Sequence, residues 1–325
     1  MKLKNLSIVA ALSISSVMAH AETTIRIAHS TPETSPIHKS LEYFEENLEK
    51  RSEGDFDVQI FSGGQIGSVN EVTELVQIGS IQMTMGASVL LSSVVPEFNV
   101  LDTFFLFNDK EQARRVLDGK GGEMIKGAME EKGFKGIGFF ERGFRNFSNN
   151  RAPLDSVKSF QGLRMRAASN PTQIAAWKSI GAAPMPLNWG EIYSSLQQGL
   201  IDGQESALSS IYIERFFEVQ KYVSLTGHTY TTEVWFANKE FWDNLSPNQQ
   251  ALLSEVAEET VELQRELTVK ENNDTLDTLK EQGLLVNEVH VDVKKALGNT
   301  INATIKDDII KRVGQPFYDD FMAEL

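Results

Sequence analysis

The sequence predicts an α/β protein of two lobes, with a ligand cleft between them and one long helix spanning both. Three observations carry this. Strand-like and helix-like stretches alternate β-α-β-α-β twice along the chain. Setting aside a 21-residue leader from 325 leaves 304 residues, a length that usually divides into two lobes. In the C-terminal third, neither Gly nor Pro occurs between Pro247 and Gly283.

The leader comes first. Lys2 and Lys4 precede an apolar stretch from Leu6 to Val17, and Ala19-His20-Ala21 places small residues two apart. This is the pattern of a secretory signal peptide, residues 1–21, cleaved after Ala21. The apolar run is too short for a membrane span. No later stretch reaches eighteen apolar residues, so the mature protein is expected to be exported, soluble and without stable membrane insertion.

Ile25–Ala28 is the first expected strand. Leu41, Phe44 and Leu48 mark a helix after the Pro-Glu-Thr-Ser-Pro turn. Asp57–Phe61 alternates as a second strand, and Gly63-Gly64 breaks it. Val72, Leu75, Val76 and Ile78 mark a helix ending at Gly79, and Ile81–Met85 is the third strand. The second round runs through Leu163–Arg166, a helix opened by Pro171 and reaching Ile180, extended Gly181–Leu187, a helix ending at Gly199, and Leu200–Asp202. Glu71–Ile81 and Glu191–Ile201 align with Glu, Gln, Gly and Ile in register, as related lobes would. The competing explanation is that many αβ units end a helix with a C-cap Gly before an apolar strand. Lys135–Phe140 is an expected crossover strand between the lobes.

Ser246-Pro247-Asn248-Gln249 is a capping box with proline at the first helical position. A helix from 247 to about 282 would be roughly 50 Å long at 1.5 Å per residue. That exceeds one lobe, so the helix is expected to lie across both. A coiled coil is the alternative, but the apolar spacing drifts from heptads.

The chain carries 31 basic and 45 acidic side chains, a formal charge of −14. Losing Lys2 and Lys4 with the leader leaves 29 − 45 = −16. Nucleic-acid and anionic-membrane binding begin with a basic surface, so no nucleic-acid partner is expected. There is no cysteine, which excludes disulfides, thiolate nucleophiles and Cys-based zinc sites.

Arg164 and Arg166 lie two apart in an expected strand and should share a face. In open α/β sheets ligands bind beyond the carboxyl ends of strands. Arg166 stands at that end, and His29 holds nearly the matching place after the first strand. Arg164, near the strand's start, is expected away from the pocket, against packing or a carboxylate. Arg145, in Gly143-Phe-Arg-Asn-Phe147, follows the crossover. A guanidinium's planar fork matches a carboxylate with two parallel hydrogen bonds, so Arg166 and Arg145 are candidates for an anion. A surface ion pair is the competing role for each.

At these residues the chain resembles a family. Gly143–Asn150, Gly162-Leu-Arg-Met-Arg166, Glu191–Glu205, Phe217–Tyr222, Gln65-Ile-Gly67 and Val100–Phe107 are similar to landmarks of the DctP-type solute-binding proteins of TRAP transporters, over essentially the whole mature chain. The resemblance implies a periplasmic binding-protein fold that closes on an organic anion and delivers it to TRAP integral membrane subunits. It implies that Arg166 clamps the substrate carboxylate, that Arg145 assists, and that Trp189 packs against the ligand. Where the family has Asn-Pro after Asp-Gly-Gln-Glu, this chain has Ser206-Ala207; the shorter hydroxyl would bond the carboxylate directly, bond it through water, or leave room for a bulkier ligand. The expected lobes are 22–142 plus about 230–270, and 143–229 plus about 271–325.

His29, Ser30, Glu33, Asn70 and Glu71 are the candidates of the first lobe for reading the rest of the ligand; Glu71 is equally explained as a first-turn acid favoured by the helix dipole. Several polar groups there suit a hydroxylated substrate, so a sugar acid such as a hexuronate or aldonate is expected, ahead of a C4-dicarboxylate, keto acid or sialic acid. No cofactor and no metal are expected, and the protein is expected to be a monomer and not an enzyme. An exported hydrolase or lyase is the competing class, but only His29, His38, His228 and His290 remain after cleavage, with no Gly-x-Ser-x-Gly and no His-Glu-x-x-His. A binding protein serving a sensor or an ABC transporter is a further alternative.

Overall fold

The computed structural model describes residues 22–325, and the expected leader lies outside the described residues. β1 (Thr23–Ala28) lies parallel between β2 (Phe56–Phe61) and β3 (Met83–Ala87). β4 (Phe134–Asn149) is sixteen residues long. β5 (Arg164–Ala167) lies parallel between β6 (Ala183–Pro186) and β7 (Gly203–Ala207). β8 (Tyr222–Leu225), β9 (Tyr230–Asn238) and β10 (Leu285–Glu288) complete the strands.

The two rounds of the sequence become two matching sheets. β3 meets β9 antiparallel, and β9 meets the first part of β4 antiparallel. In the same order, β7 meets the last five residues of β4, and β4 meets β8. β4 is therefore shared: Phe134–Phe144 belongs to one sheet and Arg145–Asn149 to the other. The crossover is longer than the expected Lys135–Phe140 and contains the Gly143-Phe-Arg segment. Both third strands begin four residues after their aligned glycines, at Met83 and Gly203, later than expected. The residues after Gly79 and Gly199 still wrap the preceding helix: Ser80 N–H donates to Leu75 O, and Leu200 N–H to Ser195 O, each at 2.9 Å. Both glycines adopt positive φ, 76° and 68°, as this wrap requires.

The helix Pro247–Glu281 forms where expected, with Ser246 and Gln249 completing the capping box. Leu253, Val256 and Val261 enter the core around β1, β3 and β9, with Phe44 and Trp235. Leu279 enters the core of the second sheet with Ile192, Leu196 and Val223. The helix thus joins both lobes. Phe104, Phe147 and Trp177 make edge-to-face contacts of 5.0–5.2 Å in a third core that draws on both halves. The helix Gln315–Met322 buries Phe321, and Glu324 pairs with Lys120 at 2.9 Å.

Candidate functional site

β5 ends where the chain must turn into the helix Pro171–Ser179, and this places Arg166 at the mouth of the second sheet. Its side chain is 4 % exposed. Nε donates to Leu187 O at 3.1 Å, and the guanidinium lies 5.6 Å from the centre of the Trp189 ring, a cation–π distance. Among the described residues no carboxylate forms an ion pair with it, and its two terminal nitrogens meet no acceptor. Burial lowers its pKa to about 10, so it remains a cation at neutral pH. A desolvated, oriented and unpaired guanidinium is costly unless an anion completes it.

Arg166 lines two connected chambers between the sheets. Both are open to solvent: the inner one takes in about 780 Å³ and the outer one about 1250 Å³, open solvent included. Ser30, Val69, Leu90 and Trp189 also border both. Trp189 is half-buried, and its Nε1 donates to Glu214 at 2.9 Å. With one ring face against Arg166, it orients the guanidinium. Arg164, by contrast, leaves the cleft and pairs with Asp202 at 2.5 Å.

Arg145 also lines the inner chamber, but its fork is filled. Nε and Nη2 both donate to the Glu205 carboxylate, Nη1 donates to Thr231 Oγ1 at 3.0 Å, and His228 Nε2 lies 3.1 Å from the same carboxylate. Burial alone would raise Glu205, but Arg145 and His228 hold it down to about 2. Arg145 is therefore a paired cation, not a second free clamp.

Of the other expected site residues, Ser206, His29, Glu71 and Glu33 border neither chamber, and Glu71 takes the helix-start role that was its competing explanation. Ser206 is fully buried on the side of β7 away from Glu205 and borders neither chamber; its Oγ has no hydrogen-bond partner among the described residues. Strand alternation explains this, because Glu205 takes the cleft-facing position. His29 borders neither chamber. Thr31 N–H donates to its Nδ1 at 3.2 Å, so its proton lies on Nε2, facing His38 Nδ1 at 3.1 Å. Burial first, then His38 and Arg142, lower its pKa to about 4. Glu71 closes the capping box, accepting from Ser68 N–H and Oγ at 2.7 Å, which holds its pKa down. Asn70 alone of that pair borders the cleft, in the outer chamber. Glu33 accepts from Ser62 Oγ at 3.1 Å.

The structure also brings in residues the sequence reading passed over. Asp102 borders the inner chamber, held by Asn170 Nδ2 at 2.9 Å and Gln173 Nε2 at 3.4 Å. Arg142 and Glu233 border it as an ion pair of 2.7 Å. Glu205 lay within the Asp-Gly-Gln-Glu run and could have been singled out. Arg142 could not, because a bulge in β4 shifts its register between Glu141 and Gly143 and so breaks strand alternation.

Residues 27–311 match the model of the family described as bacterial extracellular solute-binding protein, family 7, or DctP. The chain is 33 % identical over 319 residues to the 2,3-diketo-L-gulonate-binding periplasmic protein YiaO of Escherichia coli, covering 97 % of this chain and 96 % of that one. It is 30 % identical over 307 residues to the C4-dicarboxylate-binding periplasmic protein DctP of Rhodobacter capsulatus, covering 94 % and 92 %. The fold is similar, at a TM-score of 0.88 and 29 % identity, to the sugar acid binding protein DctPAm of Advenella mimigardefordensis in complex with galactonate, covering 93 % of this chain and 97 % of that one. With the family model spanning nearly all the described residues and a two-lobed cleft carrying an unpaired arginine, the chain belongs to the DctP family of bacterial extracellular solute-binding proteins.

Proposed function

We propose that this protein is a periplasmic receptor that binds a sugar acid in the cleft and delivers it to the membrane subunits of a TRAP transporter. The observation that carries the reading is Arg166, buried, oriented by Leu187 and Trp189, and lacking a carboxylate partner among the described residues. The ligand's carboxylate completes it with two parallel hydrogen bonds. Asp102, Gln173, Ser88 and Thr231, which also border the inner chamber, suit hydroxyl groups, which both donate and accept. Relatives whose names or complexes include diketogulonate and galactonate support this ligand class.

A ligand that touches both lobes shifts their open–closed balance by its differential affinity for the two forms. In this account the moving bodies are 22–142 plus about 230–270, and 143–229 plus about 271–314. The last helix travels with the first body because Glu324 and Leu325 accept from Arg115 at 3.0 Å.

Thermal denaturation against hexuronates, aldonates, dicarboxylates, keto acids and sialic acid tests the reading. Protein refolded from denaturant excludes a preloaded ligand. A ligand at 100 times its dissociation constant adds about 2.7 kcal/mol of stability, so one sugar acid should raise the melting temperature clearly. If only a C4-dicarboxylate or a keto acid does so, the substrate class is wrong. If no acid does so, the anion-receptor reading fails.

A further inference from the structure

We propose that Arg142 and Glu233 form a second subsite in the inner chamber, which reads the uncharged, hydroxylated end of the ligand and turns away a second carboxylate. The proposal rests on the sugar-acid reading of the cleft.

Arg142 reaches the chamber through a local irregularity. The register of β4 against β9 shifts between Glu141 and Gly143, leaving Arg142 as the extra residue. Gly143 has a φ of 96°, and a bulge of this kind re-aims a side chain. The long helix fixes it: Gln264 accepts from Glu141 N–H at 2.8 Å and donates to Glu141 O at 2.7 Å. Arg142 Nε then donates to Glu233 Oε1 at 2.7 Å, and Nη1 approaches Ser210 Oγ, on the second lobe, at 3.4 Å. Glu233, only 7 % exposed, stands on β9 opposite Ala87.

The pair carries no net charge but keeps both kinds of hydrogen-bonding group. Among the described residues, Nη2 of Arg142 and Oε2 of Glu233 have no other partner. A ligand hydroxyl can accept from the first and donate to the second. A carboxylate only accepts, so it would gain Arg142 while standing against the charge of Glu233, and like charges juxtaposed in a buried site weaken binding strongly. Specificity of this kind comes from the repulsive element as much as from the attractive one. The two ends of the chamber therefore differ in kind. Arg166 is unpaired and takes the carboxylate, Arg145 is filled by Glu205, and Arg142 is balanced by Glu233.

The test is calorimetric titration of refolded wild type, Glu233→Gln and Arg142→Gln with galactonate and with its dicarboxylate counterpart, galactarate. Wild type should prefer galactonate. Glu233→Gln leaves Arg142 uncompensated and should shift the affinity ratio towards galactarate by about tenfold or more. Arg142→Gln leaves Glu233 uncompensated and should shift it the other way. A merely structural pair would weaken both ligands together and leave the ratio unmoved. An unchanged ratio in Glu233→Gln overturns the subsite, as does a shift of the same sign in both variants. Glu233→Gln decides alone if Arg142→Gln does not fold. A wild type that binds neither these two acids nor any other sugar acid sinks the sugar-acid reading itself, and the subsite with it.

Discussion

Asp102 shows what burial does to a single side chain in this cleft. Burial pushes its carboxyl up to about 7, against the pull of the Asn170 and Gln173 amides. An ordinary unfolded Asp titrates near 3.9, so between about pH 4 and about pH 7 the folded state holds a proton that the unfolded state has lost. The contribution of Asp102 to stability therefore falls as pH rises through that window. Glu205, held at about 2, works in the opposite sense. Its contribution is present above its unfolded pKa and is lost as pH falls towards 2. Urea denaturation of unliganded wild type and Asp102→Asn should show the wild type losing ground to the variant between pH 4 and pH 7. The offset at any one pH reports hydrogen bonds, and only its slope reports the titration. A flat offset would contradict the assignment. Arg166 was legible in the sequence because a strand end locates it. His29, Glu71 and Ser206 were less so, because each depends on a partner or a face. His38 and Thr31 engage His29, and the Ser68 cap takes Glu71. Ser206 lies one residue from the cleft-facing Glu205.

At the scale of elements, the bulge in β4 is where the long helix and the site meet. The irregularity leaves the N–H and C=O of Glu141 directed at Gln264, which is itself only 1 % exposed. Removing that amide strands the buried Glu141 N–H and leaves Glu141 O accepting from Thr268 Oγ1 at 3.5 Å; a stranded buried group costs about 1–3 kcal/mol. Gln264→Leu should therefore destabilise the protein by about 1–3 kcal/mol in chemical denaturation. A loss under 0.5 kcal/mol, the range of ordinary surface substitutions, would mean that the bulge finds other partners. The regular elements were readable because capping residues and apolar spacing mark them. Pro247–Glu281 follows its capping box, and the paired lobes follow from the alignment of Gly79 with Gly199. Strand starts were displaced by the helix wraps after those glycines. The bulge itself left no trace in the pattern, because Gly143 alone does not say which neighbour is the extra residue.

For the molecule as a whole, the function depends on a balance of charge inside the cleft against the acidic surface outside. The formal charge of −14 does little to a bound anion, since screening at physiological salt acts over about 8 Å. Within the inner chamber Arg145 and Arg142 are answered by Glu205 and Glu233, which leaves Arg166 as the cation without a partner among the described residues. In the proposed reading, with Asp102 protonated, one ligand carboxylate restores neutrality there, and closure of the lobes around it would remove it from water. Calorimetric titration of refolded wild type and Arg166→Ala with galactonate tests this most directly. Truncating one partner of a buried charge pair costs about 2–5 kcal/mol, so the variant should bind roughly 30-fold to several thousand-fold more weakly. Equal affinity in the two proteins would place the carboxylate elsewhere and contradict the account.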